Sequence, residues 1–360
     1  MLFRSDLDPE LKKRYIGEAK VLRAYNYYEL YTKFGDIPYT TKVLSIKESM
    51  SIARTDRATV IANMLADLDE VINGNYLPTS YDADNKGRIT RWAAMAIKAK
   101  IYLFEGNWTQ VKNITSTIMS EGGFTLFGSY AGLFEIANEY NSEVILDAQY
   151  RPTSREHQMM YAFLPPSLGG YSQLSPLQEL VDSYIMLDGK TIKETGTSFD
   201  ESNPYANRDP RLKATVMYTG NSYTLADGTE VVINCEKGEG KDGYGVGSDC
   251  SATGYYIKKY WDNTYRATLY SGLNPILIRY ADILLLVHSR RQSAIQIGRQ
   301  SAHLSLGEYR RRPSNACLPR NPWRRVVALG SVARIALPGF RLGRHHAAVR
   351  PFAPVVETRR

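Results

Sequence analysis

The side chains able to make or break bonds are few and scattered. Before Val287 the only histidine is His157, so neither a histidine-based triad nor a histidine metal cluster can be assembled from that region. Paired carboxylates could be drawn from any two Asp or Glu, yet no pair is singled out by spacing. Asp82, Asp84, Lys86 and Gly87 echo the start of a calcium loop, but lysine fills the third acidic position and the closing glutamate would fall at Ala93. Gly238, Gly240 and Gly243 spell a dinucleotide-type glycine pattern, although no helix opens behind them, so the stretch reads as a loop. Cys235 and Cys250 flank that loop and could pair in an oxidising compartment, with two free thiols as the equal alternative. What remains is non-covalent chemistry at aromatic residues beside turns. These are Tyr39 after Gly35-Asp36-Ile37-Pro38, Tyr81 in a polar loop, Tyr171 beside Gly169-Gly170, and Trp261 and Tyr265, with Asp262 and Asn263 between them.

Such residues need a frame, and the frame is helical. From Thr90 to Gly123 two short helices are pinched at Glu105-Gly106-Asn107. Thr90 is placed to cap the first, in which Ala94, Ile97, Ile101 and Phe104 recur at steps of three and four. Gly106 supplies a left-handed stop and Asn107 caps the second helix, carrying Val111, Ile114 and Ile118. At roughly 34 residues the hairpin has the length of a tetratricopeptide unit. Alone it cannot persist: six aliphatic side chains at roughly 1.5 to 3 kcal/mol each do not offset the ordering of the chain, so a stacked neighbour is required. Arg57 to Val71 offers one, with Ile61, Met64, Leu65, Leu68, Val71 and Ile72 in helical register and Gly74 closing it. Leu11 to Phe34 predicts a long helix, apolar around most of its circumference and therefore expected to lie between several partners; Tyr25, Tyr27, Tyr28 and Tyr102 fall within helices and read as core. From residue 124 to 274 turn residues dominate, with a short apolar run at Ser142 to Leu146 and strands expected at 216–218, 231–233 and 255–260, and Pro275 to Leu286 reads as a returning helix.

Composition marks a second boundary. The 360 residues are 43% hydrophobic, without a run long enough to span a bilayer or an amino-terminal export signal. The net charge of +8 is unevenly distributed: from Val287 onward there are 15 Arg, no Lys or Asp and 2 Glu, leaving 30 basic and 35 acidic residues before it. Tyrosine breaks at the same point, 25 of 26 preceding Val287. A nucleic-acid-binding arm would mix Lys with Arg and lack the scattered Trp, Phe and Leu seen here, so residues 287–360 read as an out-of-frame translation rather than a domain.

Seven segments in order carry a family resemblance: LRAYNYYELYTKFGDIPY from Leu22, the hairpin with YLFEGNW, NSEVILDAQY from Asn141, PLQELVDSYIMLDGK from Pro176, NPYANRDPRLKATVMYTG from Asn203, GYYIKKYW from Gly254, and IRYADILLL from Ile278. In these the chain resembles the SusD/RagB lipoproteins of Bacteroidota. The resemblance implies a mainly α fold of tetratricopeptide-like helix pairs with an irregular, loop-rich half holding a few short strands. One domain would span 1–286, its helical repeats about 10–123, its loop-rich part about 124–274 and its returning helix 275–286. It further implies non-enzymatic capture of oligosaccharides at the outer-membrane surface for import through a TonB-dependent, SusC-like transporter, without metal, cofactor or nucleic acid. The family's lipoprotein signal and anchor cysteine are not seen, and the chain departs from the pattern after RYADILLL, so it reads as truncated in front and shifted behind.

Sugar rings present flat C–H faces, which suits stacking on Trp and Tyr with amide and carboxylate groups alongside. A ring contact contributes about 0.5 to 1.5 kcal/mol beyond area, fitting capture at about −4 to −8 kcal/mol. The candidate ligand residues are therefore Tyr39, Tyr81, Tyr171, Trp261, Asp262, Asn263 and Tyr265. Two other readings keep the same helices: a tetratricopeptide-type scaffold for protein partners, and a glycoside hydrolase on a helical frame.

Overall fold

The helices form where the apolar period and the capping residues coincide. In the computed structural model, which describes residues 7–225, 227–261 and 270–287, the first helix, α1, runs Pro9–Phe34. Asp8 accepts the Leu11 amide at its start, and Gly35, at φ 73°, ends it. A short exposed helix, α2 (Ile46–Ser51), follows, then α3 (Arg57–Asn73) capped by Asp56. The hairpin is α4 (Arg91–Phe104), capped by Thr90, and α5 (Trp108–Glu121), capped by Asn107, with Gly106 at φ 73° between them. That positive φ is costly for any side chain but free for glycine.

Packing runs in sequence order: α1 lies against α3, α3 against α4, α4 against α5. The expected stripe is the core itself. Ala94, Ile97 and Ile101 are fully buried with Val111, Ile114 and Ile118, while Phe104 is half-buried and meets Tyr31 edge-on at 5.5 Å. Residues Trp92 to Ile97 of α4 are all buried, and its alanines let α3 and α5 approach closely. Polar pairs fix the rims: Arg23 grips Asp67 with bonds of 2.6 to 2.8 Å, Lys98 meets Asp69, and Arg57 pairs with Glu105 while lying over Tyr31 and Phe104. The expectation that α1 is covered on several sides is not met. Gly17, Val21, Ala24, Tyr28 and Tyr31 form one buried face, whereas Leu22, Leu30 and Phe34 are exposed, because α3 and α4 both approach from the same side.

The loop-rich half contains short strands: β1 (Val144–Asp147), β2 (Val216–Met217), β3 (Ser222–Thr224), β4 (Glu230–Val232), β5 (Tyr256–Ile257) and β6 (Ile276–Arg279). They pair antiparallel as β1 with β6, β2 with β5 and β3 with β4. Three one- or two-turn helices intervene, α6 (Met159–Phe163), α7 (Gln178–Ser183) and α8 (Pro210–Thr215). Three small buried clusters replace the single large core of the helices.

The returning segment corrects the sequence reading. Residues 276–279 are strand, and the helix α9 occupies only 280–287. Ile276 and Ile278 are β-branched, Ile278 is fully buried against β1, and Arg279 reaches Glu143, so strand pairing outcompetes helix over this stretch. Asp282 then accepts the Arg279 amide at 3.0 Å where the helix begins. The segment expected as strand at 255–260 contributes only Tyr256–Ile257, since the chain turns at Tyr260, φ 66°. Cys235 is a buried free thiol and Cys250 a partly exposed one, which decides their pairing. Burial pushes the Cys235 thiol up to about 12, with Asp242 adding to the shift. The arginine-rich segment after Val287 lies outside the described residues.

Candidate functional site

The exposed aromatic surface is built on α6. Met160, Phe163 and Leu164 turn inward, the first and last into a cluster with Leu168, Met217, Tyr223, Ile233 and Tyr256, which leaves Tyr161 at the cluster's edge. After a 3-10 turn at Pro166–Leu168 the chain reverses through Gly169, in the left-handed region at φ 85°. Gly170 is required by proximity, because a Cβ there would fall 2.0 Å from the Leu164 carbonyl oxygen. The reversed strand then bonds back onto α6: the Tyr171 amide donates to Tyr161 O at 2.8 Å and the Leu174 amide to Ala162 O at 3.1 Å. This register lays the two rings together, centroids 4.2 Å apart and planes 23° from parallel.

Tyr171 is 39% exposed and Tyr270 41% exposed. The Tyr161 hydroxyl is held above its ordinary value, chiefly by its hydrogen bond with Tyr171 and then by burial, with Asp249 and Tyr270 adding to the effect. The arrangement therefore offers the outer face of a stacked tyrosine pair, with the Asp249 carboxylate and the Tyr270 hydroxyl near enough to act on Tyr161. It can stack on an apolar face and hydrogen-bond its rim.

Trp261 borders the same cluster. It is half-buried, edge-on to Tyr223 at 4.7 Å, and its indole Nε1 has no hydrogen-bond partner among the described residues. Asp262, Asn263 and Tyr265 lie outside the described residues. Tyr39 and Tyr81 belong to the helical half instead. Tyr39 lies on Tyr27, centroids 4.5 Å apart, and burial, reinforced by Asp67, raises its hydroxyl. Tyr81 donates to Ile89 O at 3.0 Å and meets Glu18, and burial lifts its hydroxyl to about 12. Of the seven candidates, Tyr171 and Trp261 flank one cluster, and Tyr39 and Tyr81 do not join them. Sequence reasoning passed over Tyr161, Tyr270 and Asp249; in the sequence only their place in the turn-rich half marks them.

His157 is occupied structurally. Its Nε2 bonds the Leu273 carbonyl at 2.8 Å and its Nδ1 accepts the Met159 amide at 3.2 Å, with Tyr150 edge-on. A carbonyl can only accept and an amide only donate, so the ring is the neutral tautomer with its proton on Nε2. Asp147 is 8% exposed, and burial raises its carboxyl to about 6, with Gln149 opposing and Glu139 reinforcing. Among the described residues no group of three or more His, Cys, Asp or Glu could hold a metal, and no helix is long and apolar enough to cross a membrane.

The model of the SusD family matches residues 133–287, and a second, described as starch-binding associating with outer membrane, matches residues 2–103. A SusD-like protein of Formosa agariphila, P25, is 35% identical over 130 residues, which is 36% of this chain and 24% of that protein. A SusD-like carbohydrate-binding protein of Bacteroides fragilis superposes with a TM-score of 0.69 at 26% identity, covering 79% of this chain and 56% of its own. Another SusD-like protein of that species gives 0.68 at 26% identity, covering 81% and 60%. The chain thus spans less than two-thirds of each of these relatives.

Proposed function

Since this chain belongs to the SusD/RagB family, we propose that it binds oligosaccharides at the outer-membrane surface without altering them and passes them to a TonB-dependent transporter. The observation that carries this reading is the exposed Tyr161–Tyr171 stack, with Tyr270 and Asp249 beside it. The outer face of Tyr171 suits the C–H face of a sugar ring, whose hydroxyls would meet the neighbouring polar groups. The carbohydrate binding named for the Bacteroides fragilis relative supports the same class of ligand. Non-covalent capture is favoured over hydrolysis because His157 has both ring nitrogens engaged and Asp147 is buried.

Affinity electrophoresis in gels containing soluble starch, laminarin, xylan or xyloglucan tests the proposal. The chain should be retarded by at least one of them and release no reducing ends. Tyr171→Ala should weaken that binding about twofold to tenfold, the loss of one ring contact. No retardation in any gel, or retardation unchanged by Tyr171→Ala, would overturn the reading.

A further inference from the structure

Between α1 and α3 the chain leaves the body and returns to it. Ile37 and Thr55 close the base of this excursion, each amide donating to the other's carbonyl, at 3.2 and 2.9 Å. Asp36 accepts the Arg57 amide at 2.9 Å beside them, and the Thr40 amide donates to the Tyr27 hydroxyl at 2.9 Å. Residues 41–54 stand beyond that anchor, and of them only Leu44 and Ile52 are half-buried, the rest being exposed.

The helix α2 at the tip buries no residue. Six residues are too few to hold a helix in water unaided, so local bonds hold this one. The Glu48 amide donates to Ser45 Oγ at 3.3 Å, the Ser45 amide donates back to the Glu48 carboxylate at 2.8 Å, and Lys42 pairs with Glu48 at 2.7 Å. What this cap presents is apolar. Val43 is 97% exposed, Ile46 82% and Met50 85%, and Ile46 and Met50 lie one turn apart on the same face of the helix. Keeping such side chains in water is unfavourable, and no part of the described chain covers them.

The charge beside the tip is basic. Lys47 and Arg54 are exposed and enter no ion pair among the described residues, whereas Glu48, the one acidic residue from 41 to 54, is taken by Lys42. Asp36 and Asp56, at the base, accept the backbone amides of Arg57 and Thr59. The apolar area is small. Three side chains fall well short of the about 800 Å² that a stable protein interface buries on each partner, and the exposed Leu22, Leu30 and Phe34 belong to α1, before the Ile37–Thr55 closure. A protruding apolar tip with basic neighbours matches instead the chemistry of a membrane surface, which takes up a few apolar side chains while its anionic headgroups meet Lys and Arg.

We propose that Val43, Ile46 and Met50 insert into the interfacial layer of an anionic lipid surface, with Lys47 and Arg54 against its headgroups. This contact uses none of the residues assigned to glycan binding.

Hydrogen exchange read by mass spectrometry on the whole chain, with and without vesicles of phosphatidylcholine and phosphatidylglycerol in equal parts, tests it. The readout must be local, because the arginines after Val287 also attract anionic lipid. Amides from 43 to 51 should exchange about tenfold or more slowly when vesicles are present. Ile46→Ser with Met50→Ser should abolish that protection, and Lys47→Gln with Arg54→Gln should require about fivefold more lipid per lost charge to reach it. Circular dichroism and glycan retardation should be unchanged in both variants. Vesicle binding that leaves exchange from 43 to 51 unaltered overturns the inference, as does protection that survives Ile46→Ser with Met50→Ser. If the tip is protected without lipid as chain concentration rises, and sedimentation velocity shows a dimer, the face joins two copies and the lipid contact is refuted.

Discussion

The joint between the two halves makes a demanding test of the fold. Glu143, 3% exposed, directly precedes β1 and accepts Arg279 Nη1 through Oε1 at 2.8 Å and the Phe127 amide through Oε2 at 2.9 Å. Arg279 ends β6 opposite Val144, and its guanidinium lies 5.8 Å from the Tyr130 ring centroid. Lys259 is buried nearby. Burial holds its ammonium well below the ordinary value, Arg279 pushes the same way, and Asp282 and Glu143 oppose. Glu143→Gln keeps the shape and an acceptor for Phe127 but leaves Arg279 without its counter-charge. Breaking a buried pair from one side costs about 3 to 5 kcal/mol, a large share of the roughly 5 to 15 kcal/mol that holds a domain folded. Pairing it with Arg279→Met removes the stranded charge, so the double variant should recover about 2 kcal/mol relative to Glu143→Gln. Urea unfolding followed by circular dichroism measures both. A single variant within about 1 kcal/mol of wild type, or strictly additive losses in the double, would show that this pair does not clasp β1 to β6.

Gly170→Ala should weaken oligosaccharide retardation as far as Tyr171→Ala does, because a Cβ 2.0 Å from Leu164 O forces the turn away from α6 and parts the two rings; affinity electrophoresis with circular dichroism as a folding control would expose the error if binding persists. Asp147→Asn should flatten part of the pH dependence of stability. Since burial raises the native carboxyl to about 6 from the usual 3.8, its stabilising share is complete below about pH 4 and lost as pH rises through about 6, a difference of about 3 kcal/mol. Urea midpoints across that window should fall more steeply for wild type than for the variant, and parallel curves would refute the assignment.

The helical half was legible because its signals are local. Thr90 and Asn107 cap α4 and α5 as their side chains predict, Gly106 takes the positive φ, and the residues at steps of three and four are the buried ones. The 275–286 segment was misread because its apolar run fits helix or strand equally, and the arbiter, β1, lies far back in the chain. The site was half legible for a related reason. Gly169-Gly170 marked a tight reversal and hence Tyr171, but the Tyr161 partnership depends on a backbone bond that closes only in the folded chain. Tyr39 and Tyr81 show the converse: a residue beside a turn has an accessible backbone, yet its ring is free to fold inward onto Tyr27 or over Ile89.

Tyrosine enrichment is itself better explained by the loops than by a ligand. A half with little regular secondary structure must satisfy its backbone groups some other way, and buried phenols do so here. Tyr256 donates to Asp242 O at 2.6 Å and accepts the Ser251 amide at 3.0 Å, and Tyr260 accepts the Ile276 amide at 3.1 Å. Tyr255 and Tyr140 instead donate to side-chain amides, Gln178 Oε1 at 2.8 Å and Gln149 Oε1 at 2.6 Å, tying one loop to another. Burial raises the Tyr256 and Tyr260 hydroxyls, so they stay protonated and able to donate at any physiological pH. Each ring also brings more apolar area than an aliphatic side chain, which lets three small clusters hold where one large core is absent. Among the described residues only Tyr171, Tyr244 and Tyr270 remain substantially exposed. Two of those three lie at Tyr161, so it is their position beside α6, not the abundance of tyrosine in the chain, that supports a ligand face there.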